Sequence, residues 1–349
     1  MQKICIYGAG NWGTTAARIL ASNTSKIENL SHKVTLYAHK ETFNGKDLAQ
    51  LINQTKENTK YLPGFKIPDN VFATSDIFEA LKDTTLLVFV VPHQFLESAL
   101  ENVRKYADIQ NLKIISLIKG MYIERDGIKT TTQLIKSILG VQPSVLSGAN
   151  IAPEIAAEGF CESTLGCLNE DEAKTWVKLF QTDYFRIQPV KDVNGVEVCG
   201  ALKNVVAVAV GLADGLGFGN NTKSAVMRIG LLEIKKFAQM YYPDTPDSIF
   251  LESCGIADLV ASSFGGRNFR LSSEFAKTGK PFDQLEKELL GGQKLQGPHT
   301  SLEVNLFLKN MNKIKDFPLF TTVYEIAYEG ENPQSIIKAF TQSYVNSSL

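Results

Sequence analysis

Three glycines near the start of the chain are spaced as in a phosphate-binding turn. Residues 8–13 read Gly-Ala-Gly-Asn-Trp-Gly and directly follow the apolar run Ile4–Tyr7. In this pattern the first glycine permits a tight turn, the second lets a pyrophosphate approach the backbone, and the third lets helix and strand pack closely. The start of the next helix would offer N–H groups and the positive end of its dipole to phosphates. This pattern predicts a dinucleotide site, and a tight turn in an unrelated α/β fold is the alternative.

The choice between NAD and NADP depends on the residues after the second strand-like run, Val34–Tyr37. An acidic residue at this position normally binds the ribose hydroxyls of NAD. Here His39 and Lys40 would suit a 2′-phosphate, whereas Glu41 would oppose one. A solvated strand end is the alternative for all three, so these residues leave the choice open.

Two lysines lie in apolar surroundings. Lys119 ends the run Ile114–Ile118, and the carboxyl end of a buried strand would place it in the same crevice as the nucleotide; a lysine snorkelling at a strand end is the alternative. Lys203 lies inside the apolar helical stretch Val196–Ala213, where a lysine needs a partner or a task. We predict that Lys203 exchanges a proton with a carbonyl or an alcohol, and that the next residue, Asn204, hydrogen-bonds at the same site.

Further along the chain lie a candidate partner for Lys203 and a candidate phosphate site. Asp258 and Ser262 are four residues apart and share one face of a predicted helix, so Asp258 could pair with Lys203. Arg267 and Asn268 follow a pair of glycines, which suits them to a phosphate or nucleotide oxygen. A surface charge is the alternative for Arg267.

Two other segments could contact a cofactor. Phe95 follows the run Leu86–Val91 and could pack on a flat ring, or it could be an ordinary helix staple. Nearby His93 is interpreted as stabilising a turn, because nothing near it in the sequence looks like a partner for acid–base chemistry. Residues 291–298 read GGQKLQGP and could form either a lid over the cofactor or a passive connector.

The elements that must position these residues change character near residue 192. Before it, short apolar runs alternate with helical patterns such as 127–139, which predicts a doubly wound α/β domain over residues 1–192. After it, helical patterns dominate, which predicts a mainly α-helical domain over residues 193–349. The strand-like runs are Ile4–Tyr7, Val34–Tyr37, Leu86–Val91, Ile114–Ile118, Val145–Leu146 and Leu165–Leu168.

Composition narrows the class of protein. With 36 basic and 37 acidic residues the net charge is -1, so neither nucleic acid nor an anionic membrane is an expected partner. The longest apolar run, Val205–Val210, is far shorter than a membrane span. Five cysteines without paired spacing predict reduced thiols in the cytoplasm, and four scattered histidines predict no structural metal.

Several segments together resemble the eukaryotic cytosolic NAD-dependent glycerol-3-phosphate dehydrogenases, in family order and over nearly the whole chain. The resemblance implies an N-terminal Rossmann domain, a helical C-terminal domain, NAD rather than NADP as cofactor, and a homodimer. The chain differs from the family at His39, where an aromatic residue is common, and over residues 22–32. The matching segments are GAGNWG, VPHQF, SLIKG, SGANIA, ALKNVVA, DGLGFGNNTK, FGGRN and KLQGP.

The resemblance also implies residue roles. Lys203 matches the catalytic proton donor and acceptor, and Lys119 matches a lysine that contacts the substrate. Asn204, Asp258 and Ser262 match the lining of the substrate pocket, and Asp258 joins the two lysines as a catalytic candidate. Arg267 and Asn268 match the pair that holds the substrate phosphate, and Asn150 matches a polar residue near the site. Cofactor contacts are expected at Gly8, Ala9, Gly10, Asn11, Trp12, Gly13, His39, Phe95, Lys119, Ala152, Arg267, Lys294 and Gln296.

The reaction expected from this resemblance is the reversible reduction of dihydroxyacetone phosphate to sn-glycerol 3-phosphate by hydride transfer from NADH, with Lys203 supplying the proton. One rival is another two-domain reductase, such as a ketopantoate-type enzyme, which would need a carboxylate site. A catalytically silent NAD(H) sensor is the other rival, and it would require a broken catalytic set.

Overall fold

The computed structural model of the protein describes residues 1–124 and 127–339. They divide into two units. Unit 1 comprises Met1–Lys119 and Thr130–Val196, and unit 2 comprises Gly120–Lys129 and the residues from Glu197 onward. The division after Val196 lies near residue 192, where the sequence pattern changes. Nothing in that pattern indicated that Gly120–Lys129 belongs to the second unit.

The described residues form strands mainly in unit 1 and helices in both units. In chain order the strands are β1 (Gln2–Tyr7), β2 (Leu30–Tyr37), β3 (Thr42–Phe43), β4 (Lys46–Asp47), β5 (Val71–Thr74), β6 (Leu86–Phe89), β7 (Lys113–Ser116), β8 (Met121–Glu124), β9 (Gly127–Thr130), β10 (Ser144–Ser147), β11 (Cys161–Gly166) and β12 (Phe185–Val190). The helices are α1 (Asn11–Asn23), α2 (Leu48–Thr55), α3 (Ile77–Leu81), α4 (Leu96–Tyr106), α5 (Thr131–Leu139), α6 (Ala152–Ala156), α7 (Glu170–Phe180), α8 (Asn194–Gly215), α9 (Asn220–Tyr241), α10 (Asp258–Gly265), α11 (Arg267–Thr278), α12 (Phe282–Leu290), α13 (Gln296–Asn310) and α14 (Pro318–Tyr324).

Unit 1 is built on an eight-stranded sheet in the order β12-β11-β10-β7-β6-β1-β2-β5. The strands from β10 to β5 pair in parallel, and β11 pairs antiparallel with β10. Counted along the chain, the six parallel strands have the 3-2-1-4-5-6 order of the Rossmann fold, whose ligand crevice lies where the order reverses. That point is between β1 and β6. The predicted fold class is therefore confirmed.

The sequence pattern missed the two edge strands of this sheet. β5 is only four residues long. β12 reads Phe-Arg-Ile-Gln-Pro-Val, with Arg186 and Gln188 exposed, so it lacks the continuous apolar run of a strand buried on both faces. The helix predicted over 127–139 is wrong at its start, because Gly127–Thr130 is strand β9. Helix α5 begins after Thr130, whose side chain forms a capping box with Gln133.

Unit 2 is organised around α8. Glycines on α8 let α11 approach closely, since a Cβ on Gly211 would lie 2.4 Å from the carbonyl oxygen of Phe269 and one on Gly215 would lie 2.2 Å from that of Ser273. This close packing brings the start of α11 beside the middle of α8. Among the described residues α8 is the one helix long and apolar enough to cross a membrane, but its apolar stretch is 100% buried, as in the core helix of a soluble protein.

Candidate functional site

The glycine turn of unit 1 connects β1 to α1. Gly8 has φ +125°, and a Cβ there would lie 2.3 Å from the carbonyl oxygen of Val90; a Cβ on Gly13 would lie 1.8 Å from the carbonyl oxygen of Gly8. Packing therefore requires both glycines. A Cβ on Gly10 would meet no atom within 4 Å, and Gly10 caps α1 without a side-chain hydrogen bond. The space beside Gly10 and the N–H groups at the start of α1, which have no side-chain cap, fit the pyrophosphate of a dinucleotide.

Trp12 and Asn11 of the turn have neighbours within unit 1. The ring of Trp12 packs edge-on against Phe185, with 6.1 Å between ring centroids, so it belongs to the core of unit 1. Asn11 is exposed, and its carbonyl oxygen accepts a hydrogen bond from the Thr15 hydroxyl. The Trp12 ring therefore packs within unit 1, and the backbone N–H groups of the turn are the expected contacts for a phosphate.

Phe95 and Ala152 lie on loops that follow parallel strands of the sheet. Phe95 ends a short 3-10 helix after β6 and is 58% exposed, which argues against the buried helix staple. Ala152 begins α6, and its carbonyl oxygen accepts a hydrogen bond of 3.3 Å from the hydroxyl of Thr15. The contact with Thr15 places Ala152 beside the first turn of α1.

Of the three candidate residues after β2, two are exposed and the third forms an ion pair. His39 and Lys40 are exposed. Glu41 forms an ion pair with Lys60 and accepts a hydrogen bond of 3.2 Å from the hydroxyl of Tyr61. The hydrogen bond to Glu41 raises the pKa of Lys60, so the charge of Glu41 is compensated within unit 1.

Lys119 and Asn150 follow β7 and β10, two neighbouring strands of the sheet. The Nζ of Lys119 donates to the carbonyl oxygen of Gly148 at 3.0 Å. The amide of Asn150 donates to the carbonyl oxygen of Glu162 at 3.1 Å and accepts from the hydroxyl of Ser163 at 2.6 Å. In this structure the Asn150 side chain therefore ties the end of β10 to β11.

In unit 2 the structure brings Lys203 of α8 together with Asp258 and Ser262 of α10. Lys203 is 7% exposed; it forms an ion pair with Asp258 and donates a hydrogen bond of 2.6 Å to the hydroxyl of Ser262. Asp258 and Ser262 share one face of α10, as their spacing predicted. A charge buried this deeply requires an opposite charge close by, and Asp258 supplies it.

A set of amide groups continues the site along α8. The Nδ2 of Asn268 donates to Oδ1 of Asn204 at 3.0 Å, and Oδ1 of Asn268 accepts from the backbone N–H of Gly297 at 2.9 Å. The Nδ2 of Asn204 donates to Oε1 of Gln296 at 3.4 Å. Three helices, α8, α11 and α13, thus meet through side-chain amides beside Lys203.

Arg267 is the first residue of α11, after Gly266 as the N-cap. Gly266 supplies no side-chain hydrogen bond to the helix start. Arg267 is exposed, and its Nη1 donates to Oε1 of Gln293 at 3.0 Å. A guanidinium beside an uncapped helix start is a favourable arrangement for a phosphate group.

The segment Gln293–Gly297 is anchored to its surroundings in unit 2. The Nζ of Lys294 contacts the Glu286 carboxylate at 2.7 Å, and the backbone N–H of Leu295 donates to it at 2.9 Å. Leu295 also packs in a small apolar cluster with Leu271 and Leu285. Glu286 is 6% exposed, and sequence reasoning missed it because nothing in the sequence separates it from the exposed Glu288 on the same helix.

The sheet order and the glycine turn define the protein as a dinucleotide-binding protein of the Rossmann class with a helical second unit. Two family models identify the protein family. The model described as NAD-dependent glycerol-3-phosphate dehydrogenase N-terminus matches residues 3–173, and the corresponding C-terminus model matches residues 192–338. The chain therefore belongs to the NAD-dependent glycerol-3-phosphate dehydrogenase family. The family, the enzyme class and the NAD cofactor predicted from the sequence are confirmed.

Relatives of known name agree. The chain is 46% identical over 331 residues to the cytoplasmic glycerol-3-phosphate dehydrogenase [NAD(+)] of Rattus norvegicus, covering 95% of each chain. It is similar to the glycerol-3-phosphate dehydrogenase structure from Saccharomyces cerevisiae, with TM-score 0.91, 37% identity, and coverage of 97% of this chain and 99% of that one. The Plasmodium falciparum enzyme gives TM-score 0.92 and 38% identity, covering 97% and 95% of the two chains. The rat name agrees with the predicted cytoplasmic location.

The rival ketopantoate-type enzymes share the fold alone. A ketopantoate reductase from Ralstonia eutropha covers 98% of this chain and all of its own length, but with TM-score 0.57 and 16% identity.

Proposed function

We propose that the protein reduces dihydroxyacetone phosphate to sn-glycerol 3-phosphate with NADH, and catalyses the reverse reaction, with Lys203 as the proton donor and acceptor. The buried group of Lys203, Asp258 and Ser262 carries this proposal. Asp258 compensates the charge of Lys203, and the Ser262 hydroxyl accepts one of its N–H groups. These two partners allow Lys203 to hold a proton inside an apolar core and to release it to a substrate. The names of the relatives support the substrate.

Each group of this set has a task. The turn over residues 8–13 would hold the pyrophosphate of NADH, which would supply the hydride. The Lys203 ammonium donates a proton to the substrate oxygen as that oxygen gains negative charge. The Asp258 carboxylate compensates the charge of the ammonium and orients it, and the Ser262 hydroxyl accepts a second N–H of Lys203. In the reverse direction Lys203 accepts the proton of the alcohol.

Polar groups hold the phosphate and the rest of the substrate. Arg267 and the start of α11 bind the phosphate together with Asn268, and Asn204 lines the pocket. The family resemblance supports Lys119 as a second positive charge for the substrate and Asn150 as a polar residue of the site. Fixing the phosphate in this way positions the reacting carbon.

In this proposal residues 1–192 form the NAD-binding Rossmann domain, and residues 193–349 form the helical domain that binds substrate and carries the catalytic lysine. The NAD contacts that the family resemblance implies outside residues 8–13 are His39, Phe95, Lys119, Ala152, Arg267, Lys294 and Gln296, and those within the turn include Ala9, Asn11 and Trp12. The protein acts as a homodimer, which the family resemblance supports. Light scattering on the purified protein measures its mass and tests the dimer.

The proposal is tested by following NADH oxidation in the presence of dihydroxyacetone phosphate. Lys203→Met should lower turnover at least about a hundredfold, the scale of general acid catalysis, and leave the Kd for NADH unchanged. Lys223→Met is the matched control, since Lys223 also pairs with an aspartate, Asp214, and should keep turnover near wild type. Near-normal turnover of Lys203→Met would exclude the proton role. Equal rates with unphosphorylated dihydroxyacetone would exclude the phosphate role of Arg267.

A further inference from the structure

Asn58 is a fully buried asparagine that reaches the glycine turn from another part of unit 1. It is 0% exposed and lies 49 residues along the chain from Ala9. Its Nδ2 donates to the carbonyl oxygen of Ala9 and to Oγ1 of Thr14, both at 2.8 Å. Its Oδ1 accepts from the backbone N–H of Tyr61 at 3.2 Å. Both N–H donors and the acceptor of the amide are therefore used.

Thr14 extends this contact to the next peptide of the turn. Its Oγ1 donates to the carbonyl oxygen of Gly10 at 2.8 Å. The carbonyl oxygen of Ala9 is thus tied to Asn58 directly. That of Gly10 accepts from the backbone N–H of Thr14 at 2.9 Å and from the Thr14 hydroxyl, which Asn58 contacts. In a planar trans peptide the carbonyl oxygen and the following N–H point in opposite directions. The N–H groups of Gly10 and Asn11 are consequently turned away from Asn58 and from the interior of the fold.

We propose that Asn58 is a positioning residue for the dinucleotide, because it fixes the direction of the two N–H groups that bind the pyrophosphate. This inference rests on the proposed binding of NADH at the turn. The segment that carries Asn58 is also held at its other side, where Lys60 and Tyr61 contact Glu41. Asn58 can therefore act as a fixed point against which the turn is aligned.

The sequence gives no direct signal for this role. Asn58 lies outside the glycine pattern, in the polar stretch between α2 and β5, and it resembles any loop asparagine there. Its importance arises only when the chain folds back so that the amide meets Ala9 and Thr14.

The test compares two buried asparagines by replacing each with leucine, which is similar in size and uncharged. Asn58→Leu removes the donors to the turn. Asn23→Leu is the matched control, since Asn23 is 3% exposed and donates to the carbonyl oxygens of Leu179 and Gln181 at 2.8 and 3.1 Å, at the far end of α1. Both changes remove side-chain hydrogen bonds to carbonyl groups in the interior of unit 1, so both should lower the melting temperature.

The NADH affinity, measured by calorimetry without ketone, separates the two variants. Asn58→Leu should raise the Kd for NADH about tenfold or more, and Asn23→Leu should change it less than about twofold. At saturating NADH, Asn58→Leu should keep the wild-type KM for dihydroxyacetone phosphate. If Asn58→Leu does not fold, Thr14→Val removes only the relay and should also weaken NADH binding, while Thr14→Ser restores it.

Wild-type NADH affinity in Asn58→Leu, or in Thr14→Val where the former does not fold, would overturn the proposal. Equal weakening by Asn23→Leu would also overturn it, because the effect would then be general destabilisation. Since the readout needs no turnover, a wild-type protein that binds NADH without reducing dihydroxyacetone phosphate would refute the reaction and leave the role of Asn58 intact. A wild-type protein that binds no NADH would overturn both.

Discussion

Neutralising Asp258 alone should destabilise unit 2 more than neutralising Asp258 and Lys203 together. Asp258→Asn leaves the Lys203 ammonium buried without its counter-charge. Likewise, Lys203→Met leaves the Asp258 carboxylate buried without its counter-charge. The double variant removes both charges, so neither is left uncompensated.

The magnitude follows from the burial of the pair. The side chains of Lys203 and Asp258 are 9% and 4% exposed, so solvent screens their interaction little. Breaking a buried pair by removing one partner costs about 3–5 kcal/mol, and we expect this loss in the free energy of unfolding for each single variant. The double variant should cost less than either single variant, so its loss should fall below the sum of the two by more than about 3–5 kcal/mol.

Urea unfolding of the four proteins measures these differences. The pair Lys223–Asp214 is the control, since its side chains are 22% and 26% exposed and more accessible pairs contribute about 1 kcal/mol or less. Lys223→Met should therefore shift the unfolding midpoint far less than Lys203→Met. A wild-type midpoint for Asp258→Asn, or strictly additive losses in the double variant, would refute the reasoning that the two charges depend on each other.

Two further changes test the glycine turn and a buried acid. Gly10→Ala should keep the wild-type melting temperature and weaken NADH binding, because its Cβ would meet no protein atom within 4 Å. Gly13→Ala should lower the melting temperature, since its Cβ would lie 1.8 Å from the carbonyl oxygen of Gly8. A larger loss of melting temperature in Gly10→Ala than in Gly13→Ala would contradict this account of the turn. Burial raises the pKa of Glu233 from 4.5 to about 8, against the opposing effect of hydrogen bonds from two backbone N–H groups. The folded state then binds the Glu233 proton more tightly than the unfolded state, so the free energy of unfolding should fall as pH rises from about 4.5 to 8. Glu233→Gln should reduce this slope in urea unfolding measured across that range, and an unchanged slope would show that other groups cause it.

Much of unit 1 could be predicted because its signals are local. The turn over residues 8–13 is a contiguous pattern after a buried strand, and central strands such as β6 are uniformly apolar. The edge strands β5 and β12 were missed for the converse reason: one face or end of an edge strand meets solvent, so its apolar pattern weakens. The start of α5 was misplaced because a short strand, β9, comes directly before the capping residue.

Some features of the candidate site could likewise be predicted from the sequence, and others could not. Lys203 was predictable because a lysine in so apolar a helix needs a partner, and the spacing of Asp258 and Ser262 put both on one face of a second helix. The paired state of Glu41 and the anchoring of Lys294 were not predictable. Each depends on a residue from another element, Lys60 in one case and Glu286 in the other.

The sequence by itself determined the family, the Rossmann class of the first domain, the glycine turn and the types of residue available for chemistry, because each of these is written in contiguous or periodic patterns. Only the tertiary structure decided which polar groups meet. It paired Lys203 with Asp258, joined Asn204 to Asn268 and Gln296, and brought Asn58 under the phosphate turn. The physical reason is that a buried polar group must find a partner wherever the packing of apolar faces happens to bring one, and that packing is set by the whole chain.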